Sequence, residues 1–231
     1  NQIPSATVGS GTIYCDTYSG STRLGTKSVN ITLTVPGSVV PSAGTLSAAL
    51  AEDTSGTGLY VKGMGKAKLT LSGASGAYGS SITSYTITGG GWTATNGALT
   101  TGTLASAGNI TFTATVTDSR GRKASTTRAI NVVNYTKPGV AMCDVYRCDA
   151  DGNRKKAGTY FAVEINASYS AITGNTLNIT ARYKKQSESS YGTAADVINN
   201  GKTVLGGGNI GASTTYDVLV TASDKDNSLS I

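Results

Sequence analysis

Between Asn109 and Tyr135 the chain reads NITFTATVTDSRGRKASTTRAINVVNY. Apolar residues hold every second position, Ile110, Phe112, Ala114 and Val116. Thr111, Thr113, Thr115 and Thr117 hold the others. A helix would scatter these residues around its circumference. A strand sorts them onto two faces, one for a core and one for water. Asp118-Ser119-Arg120-Gly121 follows. An aspartate folds its carboxylate back onto amides two residues on, and Gly121 supplies the positive φ of a tight turn. Beyond the turn Thr126, Arg128, Ile130 and Val132 share a face that becomes apolar toward its end. The stretch reads as a β-hairpin.

The pattern recurs more faintly. Near the start, Thr12 to Gly20 is followed by Lys27 to Val35. Near the end, Tyr216, Val218, Val220 and Ala222 alternate into Ser223-Asp224-Lys225-Asp226-Asn227. Units of this kind roughly 100 residues apart have the spacing of immunoglobulin-sized sandwiches. The expected fold is all-β, with tandem immunoglobulin-like β-sandwich domains. Pro36 and Pro41 mark one junction and Tyr135-Thr136-Lys137-Pro138 another, because proline favours extended backbone and forbids a helix. Three segments result. Residues 1–36 are the terminal hairpin of a preceding, incomplete domain. Residues 37–136 are one sandwich, and 137–231 are a second, truncated at its C-terminal side. A lone hairpin is marginal in water, so the first segment is expected to pack on a neighbour or to belong to a sandwich begun upstream. Asn96-Gly97 signals a hairpin turn. The turn after Val140 to Cys148 carries Asp149 and Gly152 in the roles of Asp118 and Gly121.

Composition narrows the chemistry. Charged residues are 14% of the chain, against a usual share of about 25%. There is no histidine. That removes Ser-His-Asp and Cys-His arrangements, the usual base near neutral pH, and most zinc sites. Cys15, Cys143 and Cys148 are an odd set and form no disulfide framework. An extended strand would hold Cys143 and Cys148 ~17 Å apart, far beyond bonding reach. The net charge of +6 suits an anionic partner such as a cell-wall polymer, or simply solubility. The basic residues are scattered and are not interleaved with aromatics, so nucleic-acid binding is not expected. No stretch of 18 apolar residues exists to span a membrane.

Few residues invite a functional role. Asp149-Ala150-Asp151-Gly152-Asn153 resembles the start of a calcium loop, but Arg154 and Tyr160 stand where such a loop needs glycine and a bidentate glutamate. A hairpin turn is the better reading, and no metal site is expected. Gly89-Gly90-Gly91 and Gly206-Gly207-Gly208 do not lead from a strand into a helix, so neither cradles phosphate. No paired carboxylates stand out for glycoside hydrolysis. Trp92 with Tyr78 or Tyr191 would make an aromatic platform for sugar, against the alternative of core or corner packing. No catalytic residue and no cofactor is expected.

Several short motifs, in order, carry a resemblance. These are Thr17-Tyr18-Ser19-Gly20, Val35-Pro36 with Val40-Pro41, Tyr60-Val61-Lys62-Gly63, and Ala77-Tyr78-Gly79-Ser80-Ser81-Ile82-Thr83-Ser84-Tyr85. Thr117-Asp118-Ser119-Arg120-Gly121-Arg122, Tyr135-Thr136-Lys137-Pro138 and Val145-Tyr146-Arg147-Cys148 follow. Together they resemble the tandem Ig-like repeats of tail proteins from siphophages of Gram-positive bacteria, a group labelled as a domain of unknown function. The resemblance implies a non-enzymatic structural component of a phage tail or tail tip. Its implied partners are other tail proteins, further copies of itself and a host cell-wall glycan. Its implied location is the virion tail after assembly in the host cytoplasm. The alternative reading is an adhesin or carbohydrate-binding module that recognises cell-wall polysaccharide at an extracellular surface.

Overall fold

In the computed structural model residues 3–231 are described, and the first two residues of the 1–36 segment lie outside them. Among the described residues there is no helix. The first element is a hairpin of β1 (Val8–Ser19) and β2 (Thr22–Thr34). It is closed by Gly20-Ser21, with Gly20 at φ 62°. Seven of the next eight strands build the first sandwich: β3 (Thr45–Asp53), β5 (Gly65–Ser72), β6 (Ile82–Gly89), β7 (Trp92–Ala94), β8 (Ala98–Thr100), β9 (Gly108–Asp118) and β10 (Lys123–Val133). The eighth is the two-residue β4 (Tyr60–Val61). One layer has the order β3-β5-β8 and the other contains β10-β9-β6-β7.

The second sandwich is made from β11 (Gly139–Cys148), β12 (Tyr160–Ser168), β13 (Asn178–Lys185), β14 (Ala195–Asp196), β15 (Gly201–Leu205), β16 (Tyr216–Ser223) and β17 (Ser228–Ser230). Its layers are β11-β12-β15 and β14-β13-β16-β17. Both sandwiches are all-β and immunoglobulin-like. The chain divides into two compact units. The first takes in the chain up to Glu52, Lys66–Leu104 and Gly108–Val132. The second takes in Asp53–Gly65, Ala105–Ala107 and Val133–Ile231.

Each core follows from two-residue alternation. In β9 and β10, Phe112, Ala114, Val116, Ile130 and Val132 are buried, as are Leu69 of β5 and Ile87 of β6 in the same unit. Burying a side chain of this size contributes about 1.5–3 kcal/mol. In the second unit Val163, Ile165 and Ala167 of β12 meet Ile179 and Ala181 of β13 and Val220 and Ala222 of β16.

Asn96-Gly97 departs from expectation. β7 pairs with β6 through Ile87↔Ala94, whereas β8 pairs with β5 through Leu69↔Leu99. The corner therefore carries the chain from one layer to the other and closes no hairpin. Gly97 has φ 77°, and Asn96 Oδ1 accepts the Ala98 amide at 3.3 Å. The local turn chemistry is as expected, but it does not specify which strands the flanking residues pair with.

Candidate functional site

Three turns share one device. Asp118 Oδ1 accepts the amides of Arg120 (3.0 Å) and Arg122 (2.9 Å). Asp149 Oδ1 accepts those of Asp151 (3.0 Å) and Asn153 (2.9 Å). Asp224 Oδ1 accepts those of Asp226 (3.0 Å) and Asn227 (2.9 Å). Gly121 and Gly152 sit in the first two turns at φ 80° and 81°, where a side chain would be strained. Burial pushes the Asp118 carboxyl up, but the turn amides and the Arg120 charge outweigh it and hold the group below its ordinary value. The same contest has the same outcome at Asp224, where the Asn175 amide group is the main hydrogen-bonding influence.

The arginines of the first turn act on distant backbone. Arg120 is buried, and its Nε donates to Ile3 O at 2.6 Å. Its Nη1 and Nη2 donate to Ala77 O and Tyr78 O, each at 2.7 Å. Nη1 also lies 3.9 Å from Asp118 Oδ2, which is buried and has no hydrogen-bond partner. Arg122 Nη1 donates to Pro36 O and Val39 O, both at 2.5 Å, and Nη2 donates to Val35 O at 2.7 Å. Ser119 Oγ donates to Pro4 O. The β9–β10 turn thus grips the chain segments at both ends of the β1–β2 hairpin. Arginine suits this role because its planar fork presents several donors at once.

The second unit repeats the principle. Arg147 donates to Gly158 O, Gly211 O and Thr214 O at 3.0, 3.1 and 2.5 Å. Its guanidinium lies 5.6 Å from the Phe161 ring and 5.7 Å from the Tyr216 ring. Asp224 anchors a further group of contacts. Tyr135 Oη donates to both its carboxylate oxygens, at 3.1 and 3.0 Å, and Asn175 Nδ2 donates to Oδ2 at 3.0 Å. Asn227 Nδ2 donates to Tyr135 Oη at 2.7 Å, and Lys225 Nζ donates to Gly56 O. Asp226 beside it has a buried Oδ2 without a hydrogen-bond partner. Burial and the Asp224 charge raise its carboxyl above the ordinary value.

The aromatic residues singled out in the sequence have different surroundings. Tyr78 is 72% exposed, has φ 47°, and lines an open groove of about 470 Å³ with Leu33, Pro36, Val39 and Arg120. Trp92 does not line that groove. It is half-buried: a Cβ at Gly90 would stand 2.6 Å from its Cζ3, and one at Gly102 would stand 3.4 Å from its Nε1. Tyr191 in the second unit lies beneath Arg182 and the Lys184 ammonium, at 5.7 and 5.5 Å. Arg120 links Tyr78 to the Asp118 turn through the Tyr78 carbonyl, a connection that nothing in residue spacing signals.

One cluster of ionisable groups on the second unit is paired internally. Tyr146 Oη donates to Glu164 at 2.6 Å, Lys202 Nζ lies 3.5 Å from the same oxygen, and Arg154 lies over the Tyr146 ring at 3.7 Å. The Tyr146 hydrogen bond and Lys202 hold the Glu164 carboxyl low, while the bond to Glu164 holds the Tyr146 phenol high. The result is a charged acid and a protonated phenol, a pair poor at proton transfer near neutral pH. Cys143 and Cys148 are free thiols on β11, each raised by burial and then by a neighbouring aspartate. Raised thiols make poor nucleophiles. Among the described residues, no group of three or more His, Cys, Asp or Glu is placed to hold a metal ion, and no helix is long and apolar enough to cross a membrane.

A family described as "siphovirus protein of unknown function" (DUF859) matches residues 1–218. No curated protein matches the chain. Among solved structures, the chain is similar to the Ca2+-stabilised adhesin with which an Antarctic bacterium binds ice. The TM-score is 0.49 and the identity 18%, over 96% of this chain and 55% of that one. The chain therefore spans about half the length of the adhesin. It is also similar to the three N-terminal domains of the highly immunogenic outer capsid protein of bacteriophage RB49, at TM-score 0.40 and 11% identity, over 95% and 84% of the two chains. A third similarity is to domains of titin, at TM-score 0.37 and 15% identity, over 96% and 70%.

Proposed function

The chain belongs to the siphovirus protein family that matches residues 1–218, and from that premise we propose that it is a non-enzymatic structural part of the virion tail or tail tip. It assembles there with other tail proteins and with further copies of itself, after synthesis in the host cytoplasm. The observation that carries this reading is where its strongest polar side chains are directed. Arg120, Arg122 and Arg147 are bound to backbone carbonyls, and Asp118, Asp149 and Asp224 to turn amides. These groups brace loops and are not free to meet a substrate. Labelling of intact particles with antibody against this chain, followed by electron microscopy, tests the assignment. Label on the tail is the expected result, and tails that stay bare while the capsid or the lysate is labelled would overturn it.

A second reading is favoured by one observation, the exposure of Tyr78 at the rim of its groove. An aromatic side chain held in a left-handed backbone position is the kind of local strain found at ligand contacts. On this reading the module binds host cell-wall polysaccharide. Tyr78→Ala would then abolish pull-down on purified cell walls and leave the melting temperature unchanged. The same assay on Trp92→Ala and Tyr191→Ala separates sugar contacts from packing, since a packing residue lowers the melt and a contact residue does not.

A further inference from the structure

The turn between β11 and β12 carries Arg154-Lys155-Lys156, and the residues around them fix its shape. The Asp149 carboxylate holds the Asp151 and Asn153 amides, and Gly152 N donates back to Asp149 O at 3.2 Å. Arg154 bridges to Cys148 across the loop. Lys155 N donates to Arg147 O at 3.0 Å, and Gly158 N donates to Lys155 O at 2.8 Å. Lys202 Nζ pins the turn from β15 by donating to Gly152 O at 3.2 Å. A loop held at so many points loses little further freedom when it binds something.

Beside this turn lies an open groove of about 340 Å³, lined by Tyr146, Arg147, Arg154, Lys155 and Lys156. Four of the five are cations and none is an acid. The carboxylates of the same strands and turn are committed elsewhere. Asp144 pairs with Arg154, Asp149 holds turn amides, and Glu164 accepts from Tyr146 and pairs with Lys202. Asp151 is exposed and does not line the groove. The two arginine forks are committed as well, Arg147 to the carbonyls of Gly158, Gly211 and Thr214, and Arg154 to Asp144. Lys155 and Lys156 differ. Both are exposed, and among the described residues neither joins an ion pair. Like charges held side by side repel, and an anion between them relieves the repulsion.

We propose that this groove binds a polymer of polyols or sugars joined by phosphodiesters, with the Lys155 and Lys156 ammoniums on a phosphate and the two arginines adding positive field behind them. Three observations select this anion. A carboxylate is matched best by the planar arginine fork, and both forks are spent, whereas an ammonium meets phosphate as a point charge. Single-stranded nucleic acid stacks its bases on open aromatic rings, and Arg154 already lies over the Tyr146 ring at 3.7 Å. A helix, about 10–12 Å across, would not seat in a groove this small. The site rests on the wall-binding reading but not on Tyr78, which belongs to the first unit.

Calorimetric titration of the 231-residue chain with purified poly(glycerol phosphate) tests the site. The expected result is binding that weakens as salt rises. Lys155→Glu with Lys156→Glu is expected to weaken it about tenfold or more and to lower the slope of log Kd against log salt by about one. Its thermal melt should match the parent's. Lys155→Gln with Lys156→Gln should fall between the two, and it replaces the glutamate pair if that pair fails to fold. Lys68→Glu with Lys123→Glu makes the same change in net charge at exposed positions of the first unit, and is expected to bind like the parent. A parent chain that does not bind the polymer would overturn the inference. So would an equal loss in the first-unit pair, or equal affinity for poly-glutamate or single-stranded DNA. Pull-down on whole walls and on walls stripped of phosphate separates this site from the reading beneath it. Binding undiminished on stripped walls overturns the phosphate site and leaves wall binding standing. Failure on whole walls, with poly(glycerol phosphate) still bound, overturns wall binding alone.

Discussion

Arg120 shows how much rests on a single side chain. It is buried, it neutralises a buried Asp118, and it donates to three carbonyls. Arg120→Ala leaves that carboxylate without its cation and is expected to cost about 3–5 kcal/mol in urea unfolding. Arg120→Lys restores the charge but not the fork, so it recovers only part of the loss. Asp226 is the opposite case, because its charge is a liability. Its folded-state value is raised above the ordinary one, so its protonated form favours the fold. That contribution is fully present below the unfolded value and is lost as pH rises through the folded one. Asp226→Asn should therefore raise the melting temperature by a few degrees at pH 7. The gain should shrink as the pH falls through the raised folded value, where the native residue takes up its proton. Asp118 and Asp224 have lowered values and work the other way: their contributions are present above the unfolded value and are lost as pH falls through the folded one.

At the scale of elements, strands with one wet face and one core face are legible in the sequence. The alternation in β9, β12 and β13 places Phe112, Val163 and Ile179 inside, as they are found. β7, β8 and β14 span two or three residues each, too short for a period of two to register. The carbonyl grips were also invisible. Arg122 meets Val35, Pro36 and Val39, which have no acceptor side chains, so no residue type marks them as partners. Glycines divide in the same way. Gly121 announces itself in a turn, and Gly121→Ala is expected to cost about 1 kcal/mol through its positive φ. Gly158 looks ordinary in sequence, yet a Cβ there would stand 2.2 Å from Cys148 O. Backbone is in the way and cannot step aside, so Gly158→Ala should destabilise the second unit by clearly more than Gly121→Ala does the first. Denaturant titrations of the two variants compare them directly.

For the whole molecule, two cores imply two cooperative units. Calorimetry is expected to resolve two transitions. Phe112→Ala should remove about 3–5 kcal/mol from one of them, and Ile165→Ala about 2–5 kcal/mol from the other. A single transition lowered equally by both variants would show one unit in place of two. The arginine grips have a consequence for how such a chain can change. Arg120 and Arg122 hold peptide oxygens at positions 3, 35, 36, 39, 77 and 78, and every amino acid carries that oxygen. The side chains at those places are therefore free to be exchanged while the joint keeps its grip. A siphovirus lineage can vary the side chains along these segments, residue by residue, without loosening the arginine grip beneath them.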